Sequence, residues 1–227
     1  MRRLSMTRVS QREGTRGSLK WIQRAVNDRS TVLDARLLPI LKGARSIAWW
    51  SPLRRDDFAE YSDADFLKLL GLEKWSGALA EYWPRRGPQW DALGVSDQGD
   101  ILLVEAKAHL EEMCSSATQA SPASRDRIQA ALSETAMAFR AEPRAPWTDV
   151  FYQLANRLAH LHFLRSRGVT AWLILSNFIG DLDMKGPQTS REWEAAYLVA
   201  YHVMGIQADA PLMRYVLHLY PDVSELS

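Results

Sequence analysis

Cysteine is nearly absent from this chain, and its scarcity excludes two classes of protein. The single cysteine, Cys114, has no partner for an internal disulfide, and one thiolate cannot form a cysteine-rich zinc site. A small secreted protein held together by disulfides is therefore excluded, and the expected location is the cytoplasm. The sequence also lacks the H-x-x-x-H, G-x-S-x-G and P-loop patterns, which removes three common catalytic designs.

Two further features are missing, namely a long hydrophobic run and an excess of charge of one sign. No apolar stretch approaches the roughly 18 residues of a membrane span, so no membrane association is expected. The 28 basic and 27 acidic residues give a formal net charge of +1. Because no overall positive charge would attract nucleic acid, a surface that binds it must be local.

Length and composition favour one folded domain. The chain has 227 residues, of which 47% are hydrophobic, and this is enough apolar material for a substantial core. We expect a single α/β domain over residues 18–221, between a basic flexible tail (1–17) and a short C-terminal tail (222–227). The arginine-rich first 17 residues leave alternatives open: a DNA-contacting arm, an organellar presequence or a start at Met6.

The most informative segment, residues 90–109, predicts a β-hairpin. Its first arm covers residues 90–95, and its second arm, 101–107, is apolar until Glu105. Between the arms lies a short turn in which Gly99 can adopt the positive φ that such loops require. An arm that is apolar on both faces is typical of a strand in the middle of a sheet.

The spacing within this hairpin predicts a cluster of charges on one face. Asp91 and Glu105 each lie seven residues from Gln98, so a turn centred there places them directly opposite each other. Lys107 is two residues beyond Glu105 and therefore shares its face. The alternative is an ordinary Glu–Lys pair reaching into water at a strand end. We favour a functional site, because charges beside a buried strand are paired or hold a metal.

These residues resemble the motif of the PD-(D/E)XK nuclease superfamily. The matching pattern is Pro88-x-x-Asp91, thirteen intervening residues, and Glu105-Ala106-Lys107. The resemblance covers residues 83–109 and, more weakly, extends to about residue 178. It implies a restriction-endonuclease-like αβββαβ core with a mixed central sheet flanked by helices, here with extra N- and C-terminal elements. It also implies metal-dependent hydrolysis of phosphodiester bonds.

The resemblance also indicates where further site residues are expected. Members often carry an acid on the helix before the hairpin, and Glu81 matches that position, although a solvated glutamate is an equal alternative. Only ten residues separate Glu81 from Asp91, which leaves little room for the strand usually found between them. Several families place a Gln or Arg on the helix near the site. Gln153 and Arg157 match, and could orient Lys107 or meet a phosphate.

Two arginines precede the hairpin in a loop that could contact a nucleic-acid backbone. Arg85 and Arg86 would place positive charge beside an anionic site, where phosphate binding is favourable, although ordinary loop arginines are as common. The expected partner is nucleic acid, with DNA favoured over RNA. The sequence leaves open whether the protein is a homodimer.

The chemistry of the cluster suits a hard divalent cation. Mg²⁺ binds oxygen ligands, often only one or two carboxylates, and Mn²⁺ accepts the same ligands. Asp91 and Glu105 supply carboxylates, and the carbonyl of Ala106 could add a third oxygen. Lys107 is a point charge suited to a phosphoryl transition state or to orienting the attacking water. We therefore expect a Mg²⁺- or Mn²⁺-dependent nuclease, with an inactive nuclease-fold scaffold or nucleic-acid-binding module as the alternative.

The remaining chain predicts helices and strands around this hairpin. Periodicity and capping residues indicate helices over 18–26, 63–70, 74–83, 124–139, 149–167 and 190–204. The last of these begins with a capping box formed by Thr189 and Glu192 and ends before Gly205. Strands are predicted over 47–50, 170–178 and 213–220, of which 170–178 should pair in parallel after a helical crossover.

Overall fold

A five-stranded mixed β-sheet lies at the centre of the protein, with helices packed on both faces. The computed structural model describes residues 7–114 and 116–227. The strands are β1 (Arg8–Val9), β2 (Ile47–Ser51), β3 (Glu60–Tyr61), β4 (Ala92–Ser96), β5 (Ile101–Lys107), β6 (Ala171–Asn177) and β7 (Val216–Leu219). The helices are α1 (Gly17–Asn27), α2 (Ser30–Leu37), α3 (Asp63–Leu69), α4 (Ser76–Tyr82), α5 (Pro122–Ala138), α6 (Tyr152–Arg165) and α7 (Ser190–Met204).

The strand order in the central sheet is β2-β4-β5-β6-β7. β2, β4 and β5 are antiparallel neighbours, whereas β5, β6 and β7 run parallel. Parallel neighbours need long crossovers, and here α6 lies in the crossover before β6 and α7 in the crossover before β7. β1 and β3 form a separate two-stranded sheet. The expected α/β class and mixed central sheet are confirmed at this level.

The hairpin forms with the expected register. Ala92 pairs with Val104 and Leu93 with Leu103, which is the pairing of a turn centred on Gln98. Gly99 in the turn has a φ of +82°, as the short loop requires. β4 begins later than the predicted first arm, because Trp90 instead forms an isolated bridge with β3.

The two faces of the sheet belong to two different hydrophobic clusters. Leu93 and Leu103 pack with α3, α4, α5, α6 and α7, whereas Leu102 and Val104 pack with α1 and α2. Because side chains alternate along a strand, the odd-numbered residues of β5 face α6. Glu105 and Lys107 therefore extend from the sheet on the side covered by that helix.

Helix α6 differs from its prediction in both its start and its environment. It begins at Tyr152 rather than near residue 149, because Phe151 has a left-handed conformation with φ of 52°. Its polar residues Arg157 and His160 are not exposed to solvent, since they are only 5% and 1% exposed. α6 is therefore buried on nearly all sides, since the sheet covers one face and α5 covers another.

Other helices follow their capping signals closely. The capping box of Thr189 and Glu192 is present at the start of α7, and Gly205 ends the helix with φ of +71°. α5 begins earlier than predicted, at Pro122, because proline suits the first turn of a helix and Ser121 serves as its N-cap. Within the described ranges, every helix is too short or too polar to cross a membrane.

Both ends of the described chain pack on the domain where tails were expected. Arg8 pairs with Tyr61 in the β1–β3 ladder and also forms an ion pair with Asp56 at 2.6 Å. At the other end, residues 223–226 form a 3-10 helix whose Leu226 is 2% exposed in the cluster with α1 and α2. The first six residues of the predicted tail, including Met6, lie outside the described residues.

Candidate functional site

The site begins where β4 and β5 move apart. Trp90 donates its backbone N–H to the carbonyl of Tyr61 at 3.1 Å, which draws the chain away from β5 just before β4 starts. The side chain of Asp91 takes the place of the backbone acceptor that a continued β4 would offer to the N–H of Ala106. Its Oδ2 accepts the backbone N–H of Ala106 at 2.6 Å. The Asp91 carboxylate is thus anchored beside the end of β5.

The carbonyl of Ala106 points toward the same gap. In a β-ladder, the N–H and C=O of one residue point to the same side of the strand. The N–H of Ala106 is directed at Asp91, whereas the carbonyl of Lys107 is directed at β6, where it accepts the N–H of Phe178 at 2.8 Å. The Ala106 carbonyl therefore faces the Asp91 side.

Glu105 is held between two cations in the interior. Its Oε1 lies 3.0 Å from Nζ of Lys107, and its Oε2 lies 2.6 Å from Nε of Arg157. The three side chains are only 4%, 7% and 6% exposed. Charges this deeply buried persist only when paired, so the three groups form one unit.

Helix α6 positions both cations. Gln153 accepts a hydrogen bond from Nζ of Lys107 through its Oε1 at 2.9 Å. One turn further on, Arg157 donates from Nη2 to the carbonyl of Gln89 at 2.9 Å and stacks 5.1 Å from the ring centroid of Trp90. The structure thus brings Gln153 and Arg157 into the cluster. Arg157 is engaged by protein groups in the interior rather than displayed on the surface.

A third acid, Glu60 of β3, lies beside Asp91, and the sequence analysis did not identify it. Tyr61 bridges Trp90 in antiparallel fashion, so Glu60 lies opposite Asp91, and the charges of Glu105 and Glu60 both act on the Asp91 carboxyl. Glu60 is 7% exposed and its Oε2 accepts a hydrogen bond from Gln11 at 2.9 Å. No local pattern marks a two-residue strand, so no sequence signal pointed to it.

Burial and neighbouring carboxylates raise the pKa values of Asp91 and Glu60. Burial, followed by the charges of Glu105 and Glu60, raises the pKa of Asp91 well above its usual value. Burial also raises the pKa of Glu60 to about 7, with the charge of Glu105 adding to the effect. Glu105 behaves oppositely: although burial opposes its ionisation, Arg157 and Lys107 hold its pKa below the usual range. Ionised together, the three carboxylates would exceed the two cations by one charge.

A small cavity adjoins Glu105 and Lys107 on the α6 side. It is also lined by Phe151, Gln153 and Tyr197, and the space open to the centre of a water molecule is about 10 Å³. That is roughly the space of one water molecule. The left-handed conformation of Phe151, which is unfavourable for a bulky residue, brings its side chain to this wall.

The other predicted residues lie outside the buried cluster. Glu81 is exposed on α4, so the acid that interacts with Asp91 comes from β3 instead. Arg85 and Arg86 are exposed in the loop before the hairpin. Asp63, at the start of α3, fixes this loop by accepting the backbone N–H of Arg86 at 2.9 Å.

The oxygen atoms at the gap match the small number of ligands that Mg²⁺ takes from proteins. Among the residues that the structure describes, no group of three or more His, Cys, Asp or Glu side chains is arranged to hold a metal ion. A cation here would therefore rely on Asp91, Glu105 and the Ala106 carbonyl, with water and substrate oxygens completing its shell.

Comparison of the chain with protein-family models, with curated proteins and with solved structures gave no match. The function of the protein is therefore inferred from the geometry and chemistry of the site.

Proposed function

We propose that this protein is a metal-dependent nuclease of restriction-endonuclease-like fold that hydrolyses DNA phosphodiester bonds with Mg²⁺ or Mn²⁺. The observation that carries the proposal is that Asp91 contacts the end of β5, the strand that carries the paired Glu105 and Lys107, at the gap between β4 and β5. Two carboxylates, a carbonyl and an ammonium at a strand end suit phosphoryl chemistry better than the other catalytic designs considered. The cytoplasm and a homodimer remain expectations.

The order of elements supports the fold part of this proposal. Three antiparallel neighbours, β2, β4 and β5, are followed by α6 and then by β6, which runs parallel to β5. This sequence of elements corresponds to the βββαβ part of the core that the resemblance implies. The acidic residues lie on the second and third of these strands or at their ends, where the motif requires them.

The electrostatics support a cation. The pKa values of Asp91 and Glu60 are raised by burial and then by the charge of Glu105, and a divalent ion at the Asp91 and Glu105 oxygens would offset both effects. Such an ion would lower the pKa of a bound water and polarise the scissile phosphate. The donor set is all oxygen, as this class of metal prefers.

The side chains around the ligands have separable tasks in the proposed reaction. Lys107 is a positive charge held in place by Glu105 and Gln153, so it is preorganised for charge developing on the phosphate. Arg157 keeps the Glu105 carboxylate ionised and fixes one of its oxygens. Arg85 and Arg86 lie in an anchored, exposed loop and would contact backbone phosphates on either side of the cleaved bond.

One observation favours the alternative of an inactive scaffold or nucleic-acid-binding module. Both oxygens of Glu105 already have cationic partners, with Arg157 at 2.6 Å from Oε2. A fold that kept its charges only for stability would show this arrangement. Each carboxylate oxygen nevertheless has a second lone pair, so the pairing leaves room for a metal bond.

A cleavage assay on wild type and Lys107→Ala decides between enzyme and scaffold. The substrates are linear, nicked, single-stranded and branched DNA, each with Mn²⁺. We expect the wild type to cut at least one, and Lys107→Ala to cut about 10²–10³ times more slowly, because one transition-state charge is lost. Lys68→Ala, which removes an exposed ammonium from α3, is the matched control. Intact substrates with wild type, or equal rates with Lys107→Ala, would overturn catalysis at this site.

A further inference from the structure

The edge strand β7 has one side without a partner strand in the described part of the chain. β7 pairs in parallel with β6 and ends the strand order of the central sheet. Proteins commonly protect such an edge with lysine, proline or a covering element. Residues 216–220 contain neither lysine nor proline. An open cleft with about 660 Å³ of space borders His218, Leu219 and Tyr220, so this part of the edge is accessible to solvent.

The pairing just beyond β7 shows which backbone groups point to the free side. Ile179, which follows β6, donates its N–H to the carbonyl of Pro221 at 3.1 Å and accepts the N–H of Val223 at 3.0 Å. Pro221 and Val223 therefore point toward β6. Because backbone groups alternate along a strand and the register is continuous, His218 and Tyr220 point away from β6. Their N–H and C=O groups have no hydrogen-bond partner among the described residues and are available to another strand.

Opposite charges lie at the two ends of this free edge. Arg214 precedes β7 and is exposed; its Nε donates to the carbonyl of Pro211 at 2.9 Å, and it forms no ion pair with a described residue. Asp222 follows β7, and its Oδ1 accepts the N–H of Ser224 at 2.8 Å. Its Oδ2 has no cationic partner within the described ranges. The edge therefore has an unpaired cation at one end and an unpaired carboxylate oxygen at the other.

These features are complementary to a second copy of the same strand in antiparallel orientation. In a pair centred on His218, each Arg214 comes to the end where Asp222 of the partner subunit lies, because both are four residues from the centre. The free groups of His218 then face those of the partner's His218. The N–H of Tyr220 faces the carbonyl of the partner's Val216. One register therefore matches both the backbone groups and the charges.

Helix α7 carries an exposed apolar side chain along the same edge. The Tyr201 hydroxyl lies 2.9 Å from Nε2 of His218. Burial, and then the charge of Glu194, raises the pKa of Tyr220 to about 12, so Glu194 is also close to this strand. Leu198 shares this side of the helix, because it is four residues after Glu194 and three before Tyr201. It is 72% exposed, which suits a contact with a neighbouring helix rather than with solvent.

We propose that the protein forms a symmetric dimer in which the β7 edges of two copies pair in antiparallel fashion and join the two sheets into one. The partner is a second copy, because the edge and its flanking charges are complementary to themselves under a two-fold axis, as an isologous interface requires. Two α7 helices then lie side by side on one face, with Leu198 at their contact. The dimer does not depend on the proposed nuclease activity, because its interface contains none of the proposed catalytic residues.

A charge-swap experiment tests this interface. Sedimentation equilibrium of wild type, without metal or DNA, should show a monomer–dimer equilibrium. Arg214→Asp and Asp222→Arg should each dimerise at least about tenfold more weakly, because each homodimer then has two like-charged pairs. An equimolar mixture of the two variants should regain an affinity within about threefold of wild type, because every pair again has opposite signs. Arg55→Asp and Asp126→Arg, at exposed positions elsewhere, are the matched controls and should leave the Kd unchanged.

Two further variants separate dimerisation from folding. Asp222→Asn keeps an oxygen for the N–H of Ser224 and removes only the charge, so it should weaken the dimer while the far-UV circular dichroism stays that of wild type. Leu198→Glu should also weaken the dimer, since it places two acids between the paired helices. The melting curve of each variant, measured where it is monomeric, confirms that it is folded.

Hydrogen exchange locates the paired strand directly. The amides of His218 and Tyr220 should exchange more slowly as the protein concentration rises, whereas those of β2, at the other edge of the sheet, should not change. Three results would overturn the proposal: a wild type that stays monomeric up to about 100 µM, a mixture of the charge-swapped variants as weak as each alone, or concentration-independent exchange at His218 and Tyr220. A failed nuclease assay would leave these measurements unaffected.

Discussion

Glu60, Asp91 and Glu105 form a row of three acids whose ionisation differs because their partners differ. Glu105 has a cation at each oxygen, whereas Asp91 is anchored by a backbone N–H and Glu60 by the side chain of Gln11. A neutral donor offsets the cost of burying a charge less than a cation does. Asp91 and Glu60 therefore hold their protons at higher pH than ordinary carboxyl groups.

The pKa of Glu60 predicts a stability change between about pH 4.5 and pH 7. Its folded-state pKa of about 7 lies above the reference value of 4.5, so the folded state holds the proton longer. Stability therefore falls as pH rises through this window, by up to about 3 kcal/mol for this group. Urea unfolding of metal-free protein should show this decline. Glu60→Gln should remove much of it, whereas Glu73→Gln, at an exposed site, should leave it unchanged.

Asp91→Asn should separate metal binding from folding. The asparagine oxygen can still accept the N–H of Ala106, but the variant has no charge to bury, so its metal-free melting temperature at pH 8 should rise. In wild type, Mn²⁺ at about a hundredfold above its Kd should add about 2.7 kcal/mol of stability. Asp91→Asn should lose that gain, and Asp126→Asn, exposed on α5, should keep it. A wild-type melting curve insensitive to Mn²⁺ and Mg²⁺ would contradict the metal site.

At the scale of elements, α6 and the hairpin together form the site. The hairpin places Glu105 and Lys107 on one face of β5 with Asp91 at its end, and α6 brings Gln153 to Lys107 and Arg157 to Glu105. The helix is buried on nearly all sides, so the positions of these two side chains are fixed by packing as well as by hydrogen bonds. Residues held on rigid elements are suited to a site that needs precise geometry.

Arg157→Met tests whether α6 neutralises Glu105. Removing one cation leaves a buried carboxylate with a single partner, and breaking such a pair commonly costs about 3–5 kcal/mol. Chemical unfolding should show this loss, and adding Glu105→Gln should restore only part of it, because the buried carboxylate is gone but Lys107 then loses its charged partner. Arg127→Met, at an exposed position of α5, should change stability by less than about 0.5 kcal/mol. Equal losses in the single and double variants would show that packing, not charge, explains the effect.

At the scale of the whole molecule, charge is local rather than global. The net charge is +1, so long-range attraction to DNA is weak, and binding must come from individual surfaces. The loop with Arg85 and Arg86 is the surface proposed for this contact, since both side chains are exposed and Asp63 anchors the backbone. The opening between β4 and β5 is the place that a scissile phosphate would have to reach.

The salt dependence of DNA binding measures the contribution of that loop. Each phosphate contact contributes about 0.9 to the slope of log K against log salt on duplex DNA. Replacing both Arg85 and Arg86 with Gln should lower the slope by about 1.8 if each meets a phosphate. The measurement uses metal-free Lys107→Ala protein to prevent cleavage. The double change Arg29→Gln and Lys42→Gln, at exposed positions near α2, serves as control, and an equal slope change there would remove the loop from the interface.

The elements that the sequence predicted well follow from short-range rules. The register of the hairpin, the shared face of Glu105 and Lys107 and the capping box of α7 all depend on spacings of two to about a dozen residues. Alternation along a strand and periodicity along a helix are local properties, so the sequence alone determined which side chains point the same way. Asp91, Glu105, Lys107 and Gln153 were identified on that basis and by resemblance.

What only the tertiary structure decided depends on contacts between distant segments. Glu60 enters the site because a two-residue strand bridges Trp90, and Arg157 meets Glu105 because α6 packs across the sheet. The exposed position of Glu81 and the burial of both sides of α6 are likewise results of packing. Spacing along the chain does not predict such pairings, because the free energy of the whole fold selects them. The sequence therefore determined the faces of the strands, and the tertiary structure determined which groups meet across them.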